Sequence, residues 1–529
     1  MSEPLLLVLG LAATVTFAIL ARRLALPPPI VFVLGGTLLA FIPGLPAIHI
    51  SPDWIFLAVL PPLLFSAGWN TDWKMFRANL RPILLAAIGL VIVSTVAAAA
   101  VTMQIMPFMG WAAAFVLGAV VSPPDAVAAE AIFERFALPR RIVTILEGEG
   151  MINDATALVI YAYAVTAVTT GAFSLPRALV SFVFVAIGGI AVGLLVAWIV
   201  VRLNVLLERY ELNDPTLSNI IVIAAPYGAY LGGQVVHVSS VLATVVAGLA
   251  VARRSSVVFS PQGRLVGNNV WEIWTSLLDA FLFLAIGLQL RTIVHDDPQA
   301  LGYLPAAFAI AATLIVVRLI WMFPAAWIPR LIPAVRRRDP YPPNSWLVVL
   351  GWSGMRGIVS LAAALAVPLR DANGMPFPGR DAIIVITFVV ILVTLVGQGL
   401  TLIPLLRILR LKDDGADAAA RDLAARIAAL KAGERELQEI IAGTSDEHQR
   451  EIVQRQLDEY THRIEHLEGH EGQRKPAESS SSKFDHDVQM RALHAERAKI
   501  AELRDAGKIP DEVYRLIQYD LDLAESRLV

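Results

Sequence analysis

The chain of 529 residues contains no cysteine. Disulfide frameworks, thiolate zinc sites, iron–sulfur clusters and cysteine nucleophiles are therefore excluded. Charge is scarce too. Asp, Glu, Lys and Arg make up 17% of the residues, against about 25% in ordinary globular proteins. Before residue 412 the only histidines are His49, His237 and His295, and they lack metal-ligand spacing. No GxxxxGK[ST], GxGxxG or GxSxG sequence occurs, so phosphate cradles and nucleophile elbows have no candidate. Nor is there a basic stretch ahead of the first apolar run. Its Arg22–Arg23 pair comes after it, which reads as a retained helix rather than a cleaved leader.

What is present is apolar surface and sorted charge. Hydrophobic residues make up 56% of the chain. Residues 1–411 hold 25 Lys+Arg and 19 Asp+Glu, whereas residues 412–529 hold 18 and 26. The first part is sparsely charged and basic, the second dense and acidic. This predicts a membrane domain over 1–411 and a cytosolic helical tail over 412–529.

A helix needs about 20 apolar residues to cross a hydrocarbon core of about 30 Å. That ruler gives thirteen candidate spans: 4–21, 29–43, 54–68, 82–106, 110–131, 142–168, 178–201, 216–236, 239–252, 269–290, 300–329, 344–368 and 382–406. With the N-terminus outside and the tail in the cytoplasm, the cytoplasmic loops hold 20 basic residues. The outer loops hold only Arg177, Arg291, Arg370 and Arg380. Every alternate loop obeys the positive-inside rule, which supports the odd number. In the tail, residues 416–470 show helical spacing, 476–483 (PAESSSSK) read as a linker, and 488–528 resume as helix with an interruption at 507–510. Its role, solvated appendage or regulatory and dimer-supporting element, stays open.

Ionisable groups within spans are costly and default to functional hypotheses. Span five carries SPPDAVAA, with Pro123 and Pro124 directly before Asp125. Consecutive prolines remove two backbone donors and free carbonyls one turn earlier, so an unwound segment is expected. Span six begins EGEGMINDATALV, with Glu149, Asn153 and Asp154. Span eleven holds a lone Arg318, and span twelve GWSGMRGIV, whose glycines around Arg356 suggest a second break. With span seven as a linker, both broken spans are penultimate in a six-helix half. Matching breaks point to two inverted repeats, with a transport site where they cross. Asp125 and Arg356 suit the opposed helix ends there. Asp279 lies deep in span ten, as an accessory group or a satisfied polar partner.

At these residues the sequence resembles the monovalent cation:proton antiporter-1 family, the NhaP-type and NHE-type sodium/proton exchangers. SPPDAVA, EGEGMIND, the arginine helix and the G-x-R-G helix occur in order, and the likeness covers nearly all of 1–411, including LPPLLFSAG in span three. The resemblance implies that Asp154 binds cation and proton with Asn153 beside it, and that Asp125 sits in the unwound part of span five. It further implies a structural ion pair of Glu149 with Arg318, and Arg356 balancing the span-twelve break. Many relatives have an acidic residue where this chain has Ser66, and some a hydroxyl where it has Gly150. Ser66, Ser122, the Pro124 carbonyl and water are the substitutes. A homodimer in the inner (plasma) membrane, serving pH and sodium homeostasis, is implied in the same way.

The chemistry follows from burial. A buried carboxylate disfavours its own charge, so proton and sodium compete for it. Crossing the membrane empty is expensive, and crossing neutralised by either ion is cheap. That selection yields exchange rather than leak. Asn153 cannot titrate, so the simplest cycle is one cation for one proton, electroneutral. No cofactor is expected, the transported ions being Na+ or K+ together with H+. The expected partners are the lipid bilayer and a second copy, not nucleic acid. A cation channel or uniporter of the same architecture is the alternative, and no enzyme motif or sensor motif is apparent.

Overall fold

A computed structural model describes residues 3–42, 52–133, 136, 138–409 (less 172–173, 211, 213, 256–258, 260, 297–298 and 372–373), 411, 415–469, and short stretches between 490 and 521. Among the described residues the chain is helical, its one β feature an isolated bridge between Arg370 and Pro376. It divides into two compact units, Met1–Gly415 and Ala416–Val529.

In the first unit the apolar segments fold as helices, because a helix satisfies its own backbone where no water can. In chain order these are α1 Glu3–Arg23, α2 Pro28–Ala40, α3 Pro52–Asn70 and α4 Leu80–Ile105. The fifth segment is split into α5 Gly110–Val121 and α6 Ala126–Phe133. Then come α7 Arg140–Thr170, α8 Leu175–Arg209, α9 Pro215–Val235, α10 Ser240–Ala252, α11 Pro261–Asp296 and α12 Leu304–Trp327. The twelfth segment is also split, into α13 Asn344–Trp352 and α14 Ile358–Leu365, before α15 Arg380–Leu409. Among the described residues eight helices are long and apolar enough to cross a membrane, and α2 and α10 are apolar but shorter.

Both breaks fall where proline and glycine put them. Boundaries elsewhere move outward: α8 and α11 run several residues past the expected 178–201 and 269–290. Hydropathy marks only the apolar stretch, whereas backbone hydrogen bonding continues into polar ends such as Arg202–Arg209. Three π-helical turns, Ile55–Val59, Leu85–Leu90 and Val393–Gln398, interrupt α3, α4 and α15. Such turns frequently mark functional positions.

Packing joins the helices through a broad core shared by α2–α4, α6, α7 and α11–α15, and through two further groups. One core joins α4, α5, α7, α12, α14 and α15 through residues such as Ala98, Leu117, Ala164, Ile310, Ala363 and Ile386. Another joins α3, α8, α9 and α10 through Phe65, Ala197, Val222, Ala225 and Ala243, with Trp271 of α11. Leu60, Leu64, Met151, Ala155, Tyr230 and Val245 fill the seam between α7 and the second group. Within the second group α3 and α10 approach backbone to backbone. A Cβ on Gly68 would overlap the Val245 carbonyl, and one on Gly248 the Phe65 carbonyl. Small residues allow such approach between apolar helices.

The tail unit begins with two helices, α16 Gly415–Gly443 and α17 Glu447–Gly469. They form an antiparallel hairpin in which Thr461 donates to Glu434 at 3.0 Å and Lys431 pairs with Glu468 at 2.6 Å. The helical pattern expected over 416–470 is thus interrupted once. Asp446 accepts from the His448 N–H at 2.9 Å and starts a new helix. The linker at 476–483 and most of 488–528 lie outside the described residues.

The close α3–α10 approach makes a signed prediction. Gly248→Ala forces a methyl into backbone and should cost about 1–3 kcal/mol. Gly228→Ala, with nothing within 4 Å, should gain up to about 1 kcal/mol from helix propensity. Thermal unfolding midpoints of the two purified variants should move in opposite directions from wild type.

Candidate functional site

Broken helices leave orphan carbonyls and N–H groups that an apolar interior cannot hydrate. Here each break serves the other. Arg356, 1% exposed, donates through Nε to the Val121 carbonyl at the end of α5, at 3.1 Å, and through Nη1 to the Gly354 carbonyl. In return the Asp125 N–H donates to the Met355 carbonyl at 2.6 Å. Asp125 Oδ1 accepts from the Val127 N–H at 3.0 Å, which caps α6. A cation thus sits at a helix C-terminus and an anion at an N-terminus, the favourable sense for both dipoles. Gly357 has to lack a side chain, since a Cβ there would overlap the Asp125 carboxylate.

A third helix braces the second break from outside. The π-helical turn of α15 presents Thr394, whose Oγ1 accepts from the Arg356 N–H at 3.1 Å. One turn on, Gln398 Nε2 donates to the Trp352 carbonyl, the last residue of α13, at 2.9 Å. Sequence reading missed both residues. Their signal was a polar pair four apart in an otherwise apolar run, VTLVGQ.

Helix α7 passes beside the crossing and carries three polar groups. Glu149 and Arg318 form a bidentate pair, Nη1 to Oε1 and Nη2 to Oε2, the latter at 2.9 Å, with both residues 1% exposed. Arg318 Nε also donates to the Leu350 carbonyl at 3.1 Å, tying α7, α12 and α13 together. Asn153, fully buried, donates from Nδ2 to the Pro124 carbonyl at 2.6 Å, while its Oδ1 is buried without a partner. Asp154 follows it, and the Asp125 carboxylate is close enough to act on it electrostatically. Asp279, on α11, is likewise within electrostatic reach of Asp125.

The remaining sequence candidates divide. Ser122 is buried at the end of α5, donating to the Ala119 carbonyl at 3.2 Å. Ser66, on α3, accepts from Asn70 of its own helix at 3.3 Å. Gly150 faces Ala126, whose Cβ would lie 2.6 Å from any Cβ added there. That contact accounts for the missing hydroxyl. So Pro124, Asp125, Asn153 and Asp154 come together at the crossing, with Arg356 and the Glu149–Arg318 pair around it. Ser66 lies on α3, with Asn70 as its hydrogen-bond partner.

The family described as sodium/hydrogen exchanger, transmembrane, matches residues 10–408. The chain belongs to the sodium/hydrogen exchanger family. A relative from Mycobacterium bovis, described as an uncharacterized Na+/H+ exchanger, is 33% identical, covering 98% of this chain and 95% of its own. A Bacillus pumilus protein described as a sodium, potassium, lithium and rubidium/H+ antiporter is 30% identical, covering 97% of this chain and 76% of its own. Among solved structures, the sodium proton antiporter MjNhaP1 from Methanocaldococcus jannaschii matches with a TM-score of 0.56. At 16% identity, that match covers 76% of this chain and 97% of the other, and it is a likeness of fold. Membership in this exchanger family makes the chain a cation:proton antiporter rather than an enzyme, and decides against the channel.

A further cluster, unread in the sequence, lies at the Arg140 end of α7. Asp339 accepts from Arg81, from Arg141 at 2.7 Å and from Arg330 at 2.7 Å, joining the start of α4, the start of α7 and the end of α12. Burial alone would raise the Asp339 pKa, but the hydrogen bonds and charges of Arg141 and Arg330 outweigh it and hold the carboxyl below its usual range. A depressed folded-state pKa stabilises above the unfolded value, about 3.9, and the contribution fades as pH falls below that. Wild type should therefore lose thermal stability as pH drops below about 4, and Asp339→Asn should lack that component and start lower at neutral pH. For the buried pair, Arg318→Met leaves Glu149 uncompensated and should cost about 3–5 kcal/mol, whereas Glu149→Gln with Arg318→Met should recover part of it. Detergent-solubilised thermal unfolding measures both.

Proposed function

We propose that the exchange takes place at Asp154, which binds either a monovalent cation, Na+ first and K+ or Li+ as alternatives, or a proton. The observation that carries this reading is the crossing itself: Asn153 holds the Pro124 carbonyl at 2.6 Å beside the Asp125 and Asp154 carboxylates. Hard monovalent cations take oxygen ligands, and this cluster supplies them from Asp154, Asp125, the Asn153 Oδ1 without a partner, Ser122 and water. Ser66 is the weakest member of the proposed set, given its bond to Asn70. Asp279 serves as an accessory charge. Glu149–Arg318 holds α7 in register, and Arg356 compensates the broken helices. No resident cofactor is needed, the ions being cargo.

The cycle is alternating access. The group containing α4–α7 and α12–α15 is the moving core, and α1–α3 with α8–α11 are the scaffold and dimer-forming part. Thirteen spans in two inverted repeats, N-terminus outside and the 412–529 tail in the cytoplasm, agree with the loop charges. The proposed setting is the plasma membrane, as a homodimer serving pH and sodium homeostasis. Carrying an uncompensated charge across the apolar barrier is costly, so Asp154 moves only when neutralised. Asn153 carries no proton, which gives one cation per proton and no net charge.

Cation-induced dequenching of a pH dye in everted vesicles, run with lithium, sodium and potassium, tests the reading. Wild type should exchange at least one of them, and Asp154→Asn should fall to the vesicle background. Retained exchange in the variant would refute the assignment. In proteoliposomes an imposed membrane potential should leave the reversal point unchanged, and a shift would refute electroneutrality.

A further inference from the structure

Asp339 draws three guanidiniums onto one carboxylate, from Arg81 on α4, Arg141 on α7 and Arg330 just past α12. Three positive charges against one negative leave an excess of two at this end of the membrane unit. Arg330 is buried and spends its Nε on the Asp339 and Pro340 carbonyls, both at 3.0 Å. Arg81 and Arg141 are 34% and 27% exposed, and each uses only part of its five N–H donors within the cluster. Just beyond, Arg336 and Arg337 are exposed, and their side chains make no ion pair among the described residues.

An apolar surface adjoins these charges. After α12 the chain turns at Pro329 and Pro333, and Trp327, Ile328, Leu331 and Ile332 are all exposed, Leu331 at 73%. On the neighbouring helix α4, Leu80 and Leu84 are exposed too. Trp321 Nε1 donates to the Leu85 carbonyl at 3.1 Å and ties the two helices together at this end. Tryptophan is enriched where a bilayer turns from chains to headgroups, and here exposed leucine and isoleucine pass into exposed arginine within five residues.

The two surfaces match the two halves of a phospholipid. Apolar side chains suit acyl chains, and guanidinium forks suit phosphate oxygens. Basic pockets between membrane helices, and basic clusters just past a helix end, take anionic headgroups. We infer that the α4–α12 corner binds the phosphate of an anionic phospholipid through Arg81, Arg336 and Arg337, with its chains along Leu84, Trp327 and Leu331. A zwitterionic lipid offers the same chains, but its ammonium meets the excess positive charge. The inference stands apart from the exchange site, since none of these residues belongs to the crossing.

Native mass spectrometry of the full-length protein in neutral detergent tests it by titration with phosphatidylglycerol or phosphatidylcholine. Wild type should take up phosphatidylglycerol at the lower concentration. Arg336→Gln with Arg337→Gln should raise its half-saturating concentration on the order of tenfold, at about 1 kcal/mol per basic residue, and leave phosphatidylcholine unchanged. Leu331→Ser should also weaken phosphatidylglycerol, through the chains. Arg202→Gln with Arg209→Gln, on α8, should bind as wild type does. Equal uptake of the two lipids by wild type, or an equal loss in the α8 pair, the mark of general surface charge, would overturn the site. Displacement of the lipid by millimolar glycerol phosphate, the headgroup chemistry without chains, would make it a soluble-anion site and overturn the lipid.

Discussion

Two helices interrupted inside an apolar layer leave backbone groups with nothing to hydrate them, and the rest of the membrane unit is arranged around that constraint. The ends of α5 and α13 would expose carbonyls and the starts of α6 and α14 N–H groups, each costing free energy if left bare. The solution is reciprocal: the Arg356 side chain takes the Val121 carbonyl and the Asp125 N–H takes the Met355 carbonyl. Because the breaks satisfy each other, neither can shift alone. Asp125 and Pro124 are thereby held at fixed positions beside Asn153 and Asp154, and the α15 brace at Thr394 and Gln398 adds a second anchor.

That rigidity bears directly on exchange. A carboxylate in a low-dielectric cluster is unfavourable while charged and alone, so whatever neutralises it controls its passage. The Glu149–Arg318 pair is satisfied on both sides and is not available for that purpose. Arg356 is spent on backbone carbonyls. In the proposed exchange the charges that meet an arriving ion are Asp154 and Asp125, with Asp279 in reach of the latter.

Much of this was legible in the sequence, for identifiable reasons. Pro123–Pro124 and the glycines around Arg356 are local breakers, so both interruptions could be read from composition alone. Sparse charge marked the membrane unit, and of the ionisable residues in its spans Asp125, Glu149, Arg318 and Arg356 are engaged at or beside the crossing. What escaped depends on partners distant in the chain. Thr394 and Gln398 are unremarkable polar residues until α15 lies against the α13–α14 break, and a π-helical turn has no short sequence signature. Asp339 looked like one more loop charge, yet it gathers arginines from 81, 141 and 330. Ser66 became a candidate through the family resemblance, and its bond from Asn70 one turn on depends on a neighbour that the resemblance does not include. Helix ends beyond the apolar stretch were also invisible, since hydropathy stops where the bilayer would and hydrogen bonding does not.

The central claim is that one carboxylate holds either a cation or a proton and never both. Its most direct test needs no membrane. Sodium is added to purified protein in weakly buffered solution near neutral pH, and released protons are counted against bound sodium. The account predicts one proton released per sodium bound, and neither binding nor release for Asp154→Asn. Sodium binding without proton release, or release that survives the substitution, would contradict it.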